Sequence, residues 1–476
     1  MKRNVKRAIA IVAVVGIAVG IGIPLYLFLQ ESGGGAYDWS ADDCPGAPSD
    51  ISSNQVIKVG VIGDIGSIQG DSQWKSSWLA AQEINEAGGI QVNGKTYYIG
   101  VTNEDTDESS PQPSTEKAKS AAERLVYYKG VDFVTGGFRT EMVEVYTDTF
   151  MDENIPFLSS GAATDELCSE NVRDHYSDYK YFFRTMPTNS TTLGTQILTF
   201  MAYTVGYLNA TNTNDVTTVG LLYENLEWTT GTVGLCKGYL PTYIGCDPIT
   251  GDLDQGYDPG SDTLETDIAT SMQDLEDAGA QIVIPVISAQ GGQYMMNAYD
   301  LNEFEYSIIG IDVESQMSEF WDNTDGSAKY ETILQSTSRT NKTVKTIPMW
   351  DNYTEMWNED PIYTGIGSYD SVYMLNRAIS RSQSFDPDTI VEALENQTIE
   401  DPYVGAGGHV AFTSDHDIYA PSEGMPYPYG VTLFVQWVDD PENGGTKNVV
   451  QCPYLYPETL IGTQPIQVPS WSGWWD

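Results

Sequence analysis

The chain has 476 residues, of which 41% are hydrophobic, and its 67 Asp and Glu against 23 Lys and Arg give a formal charge of −44. Because a domain holds roughly 100–200 residues, the length predicts two domains or one large one, with enough apolar material for real cores. The scarcity of Lys and Arg excludes nucleic acid or another polyanion as the main partner, since an acidic surface repels phosphate groups.

The first 30 residues differ from the rest of the chain in charge and hydropathy. Four Lys and Arg side chains precede residues 8–29, a run without any charge. As a helix this run is roughly 33 Å long, which matches the hydrocarbon core of a bilayer. We therefore predict a cytoplasmic stub and transmembrane signal anchor at residues 1–30, with the remainder outside the cell. The alternatives are a cleaved signal peptide and a short clip near residues 6–8.

Residues 31–55 are rich in Gly, Pro, Ser and Asp and are predicted to form a flexible tether. All five cysteines lie beyond the apolar run, and outside the cell disulfides are the default expectation. Pairing of Cys236 with Cys246 and of Cys44 with Cys452 is compatible with the spacing, which does not decide the connectivity. Five N-x-[ST] sequons are compatible with glycosylation or with a simple abundance of Asn and Thr.

From residue 56 onwards, short β-branched runs alternate with helical patterns. The first series has predicted strands at 57–63, 96–101, 131–137 and 155–160, with helices from about 74 to Gly88, at 115–128 and at 140–152. The second has strands at 216–224, 281–287 and 306–312, with helices at 192–206, 228–240, 263–278 and 290–302. Such alternation predicts mainly parallel sheets. Helices near 365–381 and 387–396 follow, and then antiparallel edge strands at 409–413 and 430–438.

The sequence thus predicts an α/β fold of two doubly wound, Rossmann-like lobes joined by a hinge with several chain crossings, preceded by the transmembrane helix. Lobe 1 is predicted over residues 56–188 and 338–400, and lobe 2 over residues 189–337 and 401–455. Residues 456–476 are expected to form a C-terminal tail. In such folds the loops that follow the strands face a common cleft, where ligands bind.

Catalytic and metal-binding patterns are not found. The chain has three histidines, no HExxH or GxSxG motif and no Cys/His spacing typical of a metal site. Acidic stretches at 105–107 and 252–262 lack the pattern of a calcium loop and are interpreted as solvated surface. We therefore expect no enzyme activity, no catalytic residues, no metal and no cofactor.

The loops after the predicted strands contain the informative side chains. In lobe 1, residues 136–142 and 159–167 combine hydroxyls, backbone N–H groups and helix N-termini, which suits a carboxylate. In lobe 2, residues 223–231, 287–293 and 310–315 offer an aromatic wall and the carboxylate of Asp312, which suits an ammonium. A small zwitterion is therefore the expected ligand.

A series of segments, in order, resembles the type 1 periplasmic-binding-protein fold, specifically the leucine/isoleucine/valine-binding group of ABC-transporter solute receptors. Among them are IKVGVIGDIGS, AAQEINEAGGIQVNG, GVDFVTGGFRTE, ENIPFLSSGAATDEL and VGLLYENLEW, and the resemblance covers about residues 56–415. It implies an extracellular, membrane-anchored receptor that closes on a small amino acid or related zwitterion and presents it to an ABC permease. A ligand-sensing ectodomain that signals through a separate membrane partner is the alternative.

The resemblance also implies roles for individual residues. The ligand carboxylate is assigned to Thr140 and to the loop of Ala162, Ala163 and Thr164, and the ligand amino group to Asp312. Trp228 matches an aromatic residue that closes over the ligand, and Ser288 a contact position where an aromatic residue is common. Two further candidates come from their positions alone: Arg139 either contacts the ligand or anchors its loop, and Trp74 either reaches the cleft or belongs to the core.

Overall fold

A computed structural model describes residues 37–475 except positions 289, 422, 423 and 443. The apolar run at residues 8–29, and with it the predicted signal anchor, lies outside the described residues. Within the part of the chain that is described, no helix combines the length and the apolar character needed to cross a membrane.

Strands and helices alternate along most of the described chain, as the hydrophobic pattern predicts. The strands are β1 (Val56–Gly63), β2 (Ile90–Val92), β3 (Lys95–Asp105), β4 (Phe133–Gly136), β5 (Phe157–Ser159), β6 (Phe182–Arg184), β7 (Thr218–Glu224), β8 (Asp247–Pro248), β9 (Gln255–Tyr257), β10 (Ile282–Ile287), β11 (Ser307–Asp312), β12 (Thr332–Gln335), β13 (Tyr403–Val404), β14 (His409–Val410), β15 (Leu433–Asp440), β16 (Gly444–Val450) and β17 (Thr463–Gln464). The longer helices are α1 (Ile68–Glu86), α2 (Thr115–Glu123), α3 (Thr140–Asp152), α4 (Ser190–Thr211), α5 (Glu227–Tyr239), α6 (Leu264–Asp277), α7 (Gly292–Asn302), α8 (Thr346–Trp357), α9 (Tyr363–Ser382) and α10 (Pro387–Glu395).

The first sheet has the strand order β2-β3-β1-β4-β5-β6 and is parallel except for the β2–β3 pair. Its central strands are buried almost throughout because helices cover both faces, which explains their β-branched and aromatic composition. Gly136, the last residue of β4, has φ 114°, and a Cβ there would lie 2.0 Å from the carbonyl oxygen of Ile62. Only glycine therefore fits where the chain turns from β4 towards α3.

The second sheet has the order β17-β16-β15-β12-β11-β10-β7-β8, and β9 also pairs with β7. The strands from β12 to β7 are parallel, whereas β15 is antiparallel to both β12 and β16. The predicted α/β fold is confirmed, with mixed rather than purely parallel sheets. The lobe boundaries given above stay a prediction.

The chain passes between the two sheets in three segments. The first crossing runs from β6 to α4 and the second from β12 to α8; α8 to α10 then pack with the helices of the first sheet. The third crossing leads from β14, in a two-stranded pair with β13, to β15. These segments form the hinge region.

Two details differ from the sequence-based expectations, and the C-terminal tail is in contact with the second sheet. The predicted strand at 409–413 is only two residues long, because its partner is β13 and not the large sheet. In the tail, β17 extends the second sheet, and the Trp471 ring packs against Tyr299 with centroids 5.7 Å apart. The expected disulfides are not formed in this structure, because all five thiols are free and buried.

Candidate ligand-binding site

A cavity of about 550 Å³, including the solvent at its mouth, lies between the carboxyl ends of the two sheets. Most of its lining is apolar, and the residues concerned are Phe138, Pro187, Leu193, Trp228, Ile311, Val313, Leu334 and Tyr363. Gly161 and Ala163 complete the non-polar wall, and Arg139, Ser288, Gln316 and Ser336 provide the polar groups. None of these lining residues is acidic. The cavity therefore suits a ligand with an apolar body and few polar groups.

Arg139 lies on the turn between β4 and α3, at the edge of the cavity. Its backbone N–H donates to Glu108 Oε2 at 3.0 Å, and its Nη1 donates to the carbonyl oxygen of Ser110 at 3.3 Å. Burial raises the pKa of Glu108 to about 8. The Nε of Arg139 makes no hydrogen bond but forms an ion pair with Glu141 Oε2 at 3.4 Å. Arg139 therefore anchors its loop and lines the cavity with its charge paired to Glu141, and a contact with the ligand stays a prediction.

The loop after β5 is held by a buried arginine that the sequence analysis did not single out. Arg184, at the end of β6, donates from Nη1 to the carbonyl oxygen of Ala162 at 2.6 Å and from Nη2 to that of Thr164. Its Nε donates to Asp417 Oδ1 at 2.9 Å. The sequence does contain a signal for this role, because Arg184 stands at the end of an apolar strand. A cation in such a place is buried only when it is paired, so a buried partner is expected.

The remaining carbonyl groups of this loop are also engaged. The carbonyl oxygen of Ala163 accepts hydrogen bonds from the backbone N–H and the hydroxyl of Ser190 at 2.7 and 2.8 Å. That of Gly161 accepts from the Tyr363 hydroxyl at 3.3 Å. The loop therefore presents Ala163 and Gly161 to the cavity while its carbonyl oxygens serve the protein itself.

The second sheet contributes an aromatic side chain and a hydroxyl. Trp228, in the first turn of α5, is only 8% exposed, and its indole Nε1 has no hydrogen-bond partner. Ser288, after β10, donates from its backbone N–H and its hydroxyl to Glu224 Oε2 at 2.9 and 2.6 Å. A buried indole N–H that lacks an acceptor is costly, so an acceptor is expected from whatever occupies the cavity.

Asp312 is not placed as the sequence analysis expected. Its neighbours Ile311 and Val313 line the cavity, and the alternation of side chains along a strand turns Asp312 to the opposite side. There it is fully buried beside Glu331, and a Cβ at Gly292 would lie 2.1 Å from its Oδ2. Burial, followed by the charges of Glu331 and Glu314, raises the pKa of Asp312 well above its usual range. The structure thus does not bring Asp312 to the cavity as an ammonium partner.

The candidate residues therefore divide into two sets. The structure brings Arg139, Ala163, Trp228 and Ser288 together around the cavity. Thr140, Ala162, Thr164, Asp312 and Trp74 are not in its lining. The Thr140 hydroxyl is buried and unpartnered at the start of α3, and the Thr164 hydroxyl donates to Glu166. Trp74 packs on Trp78 with ring centroids 5.5 Å apart, in agreement with its alternative assignment to the core. The ligand-binding roles themselves stay predictions.

Hydrogen bonds cross the gap between the two halves around this cavity. Gln69 Nε2 donates to the carbonyl oxygen of Ser288 at 2.8 Å, and Gln290 Nε2 to that of Ser109 at 2.7 Å. The backbone N–H of Tyr363 donates to Gln316 Oε1 at 3.1 Å. In a fourth bond, the backbone N–H of Glu227 donates to Glu141 Oε1 at 3.2 Å. The two halves are therefore in direct contact around the cavity, and the cleft between them is closed.

Comparisons with known proteins agree with this architecture. The family model described as "Periplasmic binding protein" matches residues 56–422. "Leu/Ile/Val-binding protein homolog 8" from Brucella abortus (strain 2308) and its counterpart from Brucella suis are each 22% identical over 360 residues, which cover 72% of this chain and 80% of the relative.

Solved structures share the fold at low sequence identity. The ABC transporter substrate-binding protein from Desulfitobacterium hafniense, in complex with Leu, has a TM-score of 0.61 at 16% identity, covering 82% of this chain and 99% of that one. LivJ from Streptococcus pneumoniae, in complex with isoleucine, has a TM-score of 0.63 at 19% identity, with coverage of 83% and 99%. A solute-binding protein from Rhodopseudomonas palustris BisB5, in complex with 3,4-dihydroxybenzoic acid, has a TM-score of 0.64 at 14% identity, with coverage of 83% and 96%. The chain therefore belongs to the periplasmic binding protein family, whose members bind solutes and are not enzymes.

Proposed function

We propose that this chain is the extracellular, membrane-anchored solute-binding protein of an ABC transporter and that it presents a small carboxylate with an apolar body to the permease. The observation that carries the ligand class is the apolar cavity with the buried, unpartnered Nε1 of Trp228 in its wall. The Arg139 guanidinium, which also forms an ion pair with Glu141, lies in the same lining, and charge-assisted hydrogen bonds to carboxylates are the strong ones.

Two kinds of carboxylate fit this description, an amino acid and a carboxylic acid without an amino group. The names of the relatives and the ligands of two of the structural neighbours favour an amino acid. Other neighbours are in complex with 3,4-dihydroxybenzoic acid and with benzoate.

The geometry supports the acid without an amino group better. An ammonium desolvated in the cavity needs acceptors. No acidic residue is in the lining, and the carbonyl oxygens of residues 161–164 already accept hydrogen bonds from Arg184, Ser190 and Tyr363. Asp312 is turned away from the cavity, so it does not supply the missing acceptor.

Three compounds with the same branched body separate the possibilities: leucine, 4-methylpentanoate and 3-methylbutylamine. Each is added to the purified full-length protein, and the melting temperature is measured by thermal shift. We expect 4-methylpentanoate to raise the melting temperature at lower concentration than leucine, and the amine to have no effect. At 100 times the Kd a ligand stabilises the folded state by about 2.7 kcal/mol. A shift with leucine alone would show that the ammonium is recognised, and no shift with either carboxylate or with benzoate would refute the ligand class.

The location and the partner are tested in cells. Full-length protein is expected in the membrane fraction, and a variant lacking residues 8–29 behind an unrelated cleavable signal is expected in the medium. Equal release of both would refute the anchor. Uptake of the radiolabelled carboxylate should be lost on deletion of the gene, and uptake that persists would refute the transport role and leave the sensor alternative.

A further inference from the structure

A second cavity, of about 330 Å³ including the solvent at its mouth, lies where the three crossings between the sheets meet. Thr188 comes from the first crossing, Ser336 and Lys342 from the second, and His409 and Val431 from the third. Ser336 also lines the ligand cavity, so the two spaces share a wall. The second cavity is therefore built from the hinge itself.

The Lys342 side chain is the unusual feature of this cavity. Lys342 is only 5% exposed, and its Nζ donates to the carbonyl oxygens of Ser336 and Val431 at 2.7 and 2.5 Å. An ammonium has three N–H groups, and the described residues offer no acceptor for the third. Nor does any described carboxylate lie within 4.0 Å of this Nζ, the limit for an ion pair. Among the described residues, Lys342 Nζ is thus buried with two carbonyl partners and without a carboxylate counter-ion.

The nearest acidic side chain is committed elsewhere. Asp370 accepts from the backbone N–H groups of Ala406 and Gly407 at 2.8 and 2.9 Å and from the Tyr403 hydroxyl at 3.2 Å. It holds the loop behind the cavity and does not form an ion pair with Lys342. The other titratable group in the lining, His409, is not acidic either, and burial together with Lys342 lowers its pKa. The lining therefore carries no negative charge.

We propose that the hinge cavity binds a small monovalent anion, of a size between chloride and acetate, against Lys342 Nζ. A buried charge is tolerated only when it is paired or neutralised, and an anion in this space supplies the pair. The Thr188 hydroxyl, which is buried and has no hydrogen-bond partner, provides a further donor in the same lining.

The overall acidity of the chain does not oppose such a site. In physiological salt, charges more than about 8 Å apart across solvent are largely screened, so the ammonium and hydroxyl in the cavity dominate locally. Because all three crossings contribute to the lining, the bound anion lies between them and stabilises their arrangement. This proposal does not depend on the ligand proposed for the first cavity.

Two matched lysines make the test specific. Lys447 is also buried, and burial lowers its pKa to about 8, as burial lowers that of Lys342 to about 7. Lys447 Nζ donates to the carbonyl oxygen of Gln316 and does not line the hinge cavity. Lys342→Met and Lys447→Met therefore remove comparable charges, only one of which faces the cavity.

The ³⁵Cl NMR linewidth of sodium chloride is measured with the full-length protein and with each variant, and sodium acetate is then added as competitor. We expect excess broadening with the unmodified protein and with Lys447→Met, and its loss with Lys342→Met. Loss of the broadening on addition of acetate would assign the site to small carboxylates as well, whereas persistence would assign it to chloride. Equal broadening with both variants would overturn the proposal.

A second measurement needs no variant and covers the case in which Lys342→Met does not fold. Crystals of the unmodified protein are soaked in sodium bromide, and the anomalous signal of bromide is located. We expect a peak within about 4 Å of Lys342 Nζ, the distance of an ion pair. Absence of a peak in the hinge cavity would show that Lys342 is held there as a neutral amine and would refute the anion site.

Discussion

Replacement of Arg184 by methionine tests whether the buried ion pair beneath the candidate site stabilises the fold. The Arg184 side chain has no exposed surface, and that of its partner Asp417 is 9% exposed. Arg184→Met keeps the apolar stem, leaves the Asp417 carboxylate without its cation, and removes the donors to the carbonyl oxygens of Ala162 and Thr164.

The expected loss follows from the burial of both partners. Removal of one member of a buried pair costs about 3–5 kcal/mol, because the remaining charge stays desolvated. Since about 1.4 kcal/mol is a factor of ten in an equilibrium constant, the ratio of folded to unfolded protein should fall by roughly 10²–10³ or more. Urea unfolding followed by tryptophan fluorescence measures this change.

Arg339→Met is the matched control, because Arg339 pairs with Asp351 through two hydrogen bonds at the surface, where the side chains are 56% and 48% exposed. An exposed pair contributes about 0.2–1 kcal/mol. Asp417→Asn in the Arg184→Met background should restore part of the stability, since it removes the stranded charge. If Arg184→Met loses no more than Arg339→Met, the reasoning about the buried pair is refuted.

Three further results are expected. Trp228→Phe keeps an aromatic ring but removes the indole donor. Calorimetry should therefore show ligand affinity weakened by about 1–3 kcal/mol, with little change in the free energy of unfolding. Unchanged affinity would show that Nε1 does not contact the ligand. The pKa of Glu108 in the folded state, about 8, lies above its ordinary value of 4.5, so the folded state retains a proton that the unfolded state releases, and stability falls as the pH rises through this window. The stability of Glu108→Gln relative to the unmodified chain, measured by urea unfolding, should therefore increase as the pH rises from 5 to 8. A stability difference between the two proteins that does not change with pH would contradict the raised pKa of Glu108. Ellman's reagent should detect five thiols in denaturant and few in the native protein. Burial blocks access to the thiols and raises their pKa, that of Cys236 to about 12. Fewer than five thiols in denaturant would reveal a disulfide.

The sequence was informative where burial on both faces leaves a continuous apolar pattern. Strands such as β1 and β10 are buried along nearly their whole length, and their β-branched composition predicted them. β16 was not predicted, because its sequence, GGTKNVV, is polar and it forms as the antiparallel partner of β15. Pairing of this kind depends on the tertiary context, which local composition does not contain.

The candidate site was predictable to the extent that position in a strand or loop decides it. Arg139 and Ser288 follow strands, Trp228 lies in the first turn of a helix that follows one, and all three reach the cavity. Asp312 was assigned from its residue type, its place at a strand end and the family resemblance. Successive side chains of a strand point to opposite faces, and none of these arguments decides which face Asp312 occupies. Gln316 and Tyr363 were missed because they reach the site only once the turn after β11 and the start of α9 are in place.

The four hydrogen bonds described above contribute to the free energy that is needed to open the cleft between the two halves. They are single hydrogen bonds between glutamine side chains, backbone groups and one carboxylate, without an ion pair among those described above. Each contributes about 0.5–1.5 kcal/mol, so together they amount to a few kcal/mol. A difference of this size between the open and closed forms is within reach of the differential affinity of a ligand that contacts both halves. The polar contacts across the gap therefore leave the occupant of the cavity able to shift the balance between the two forms.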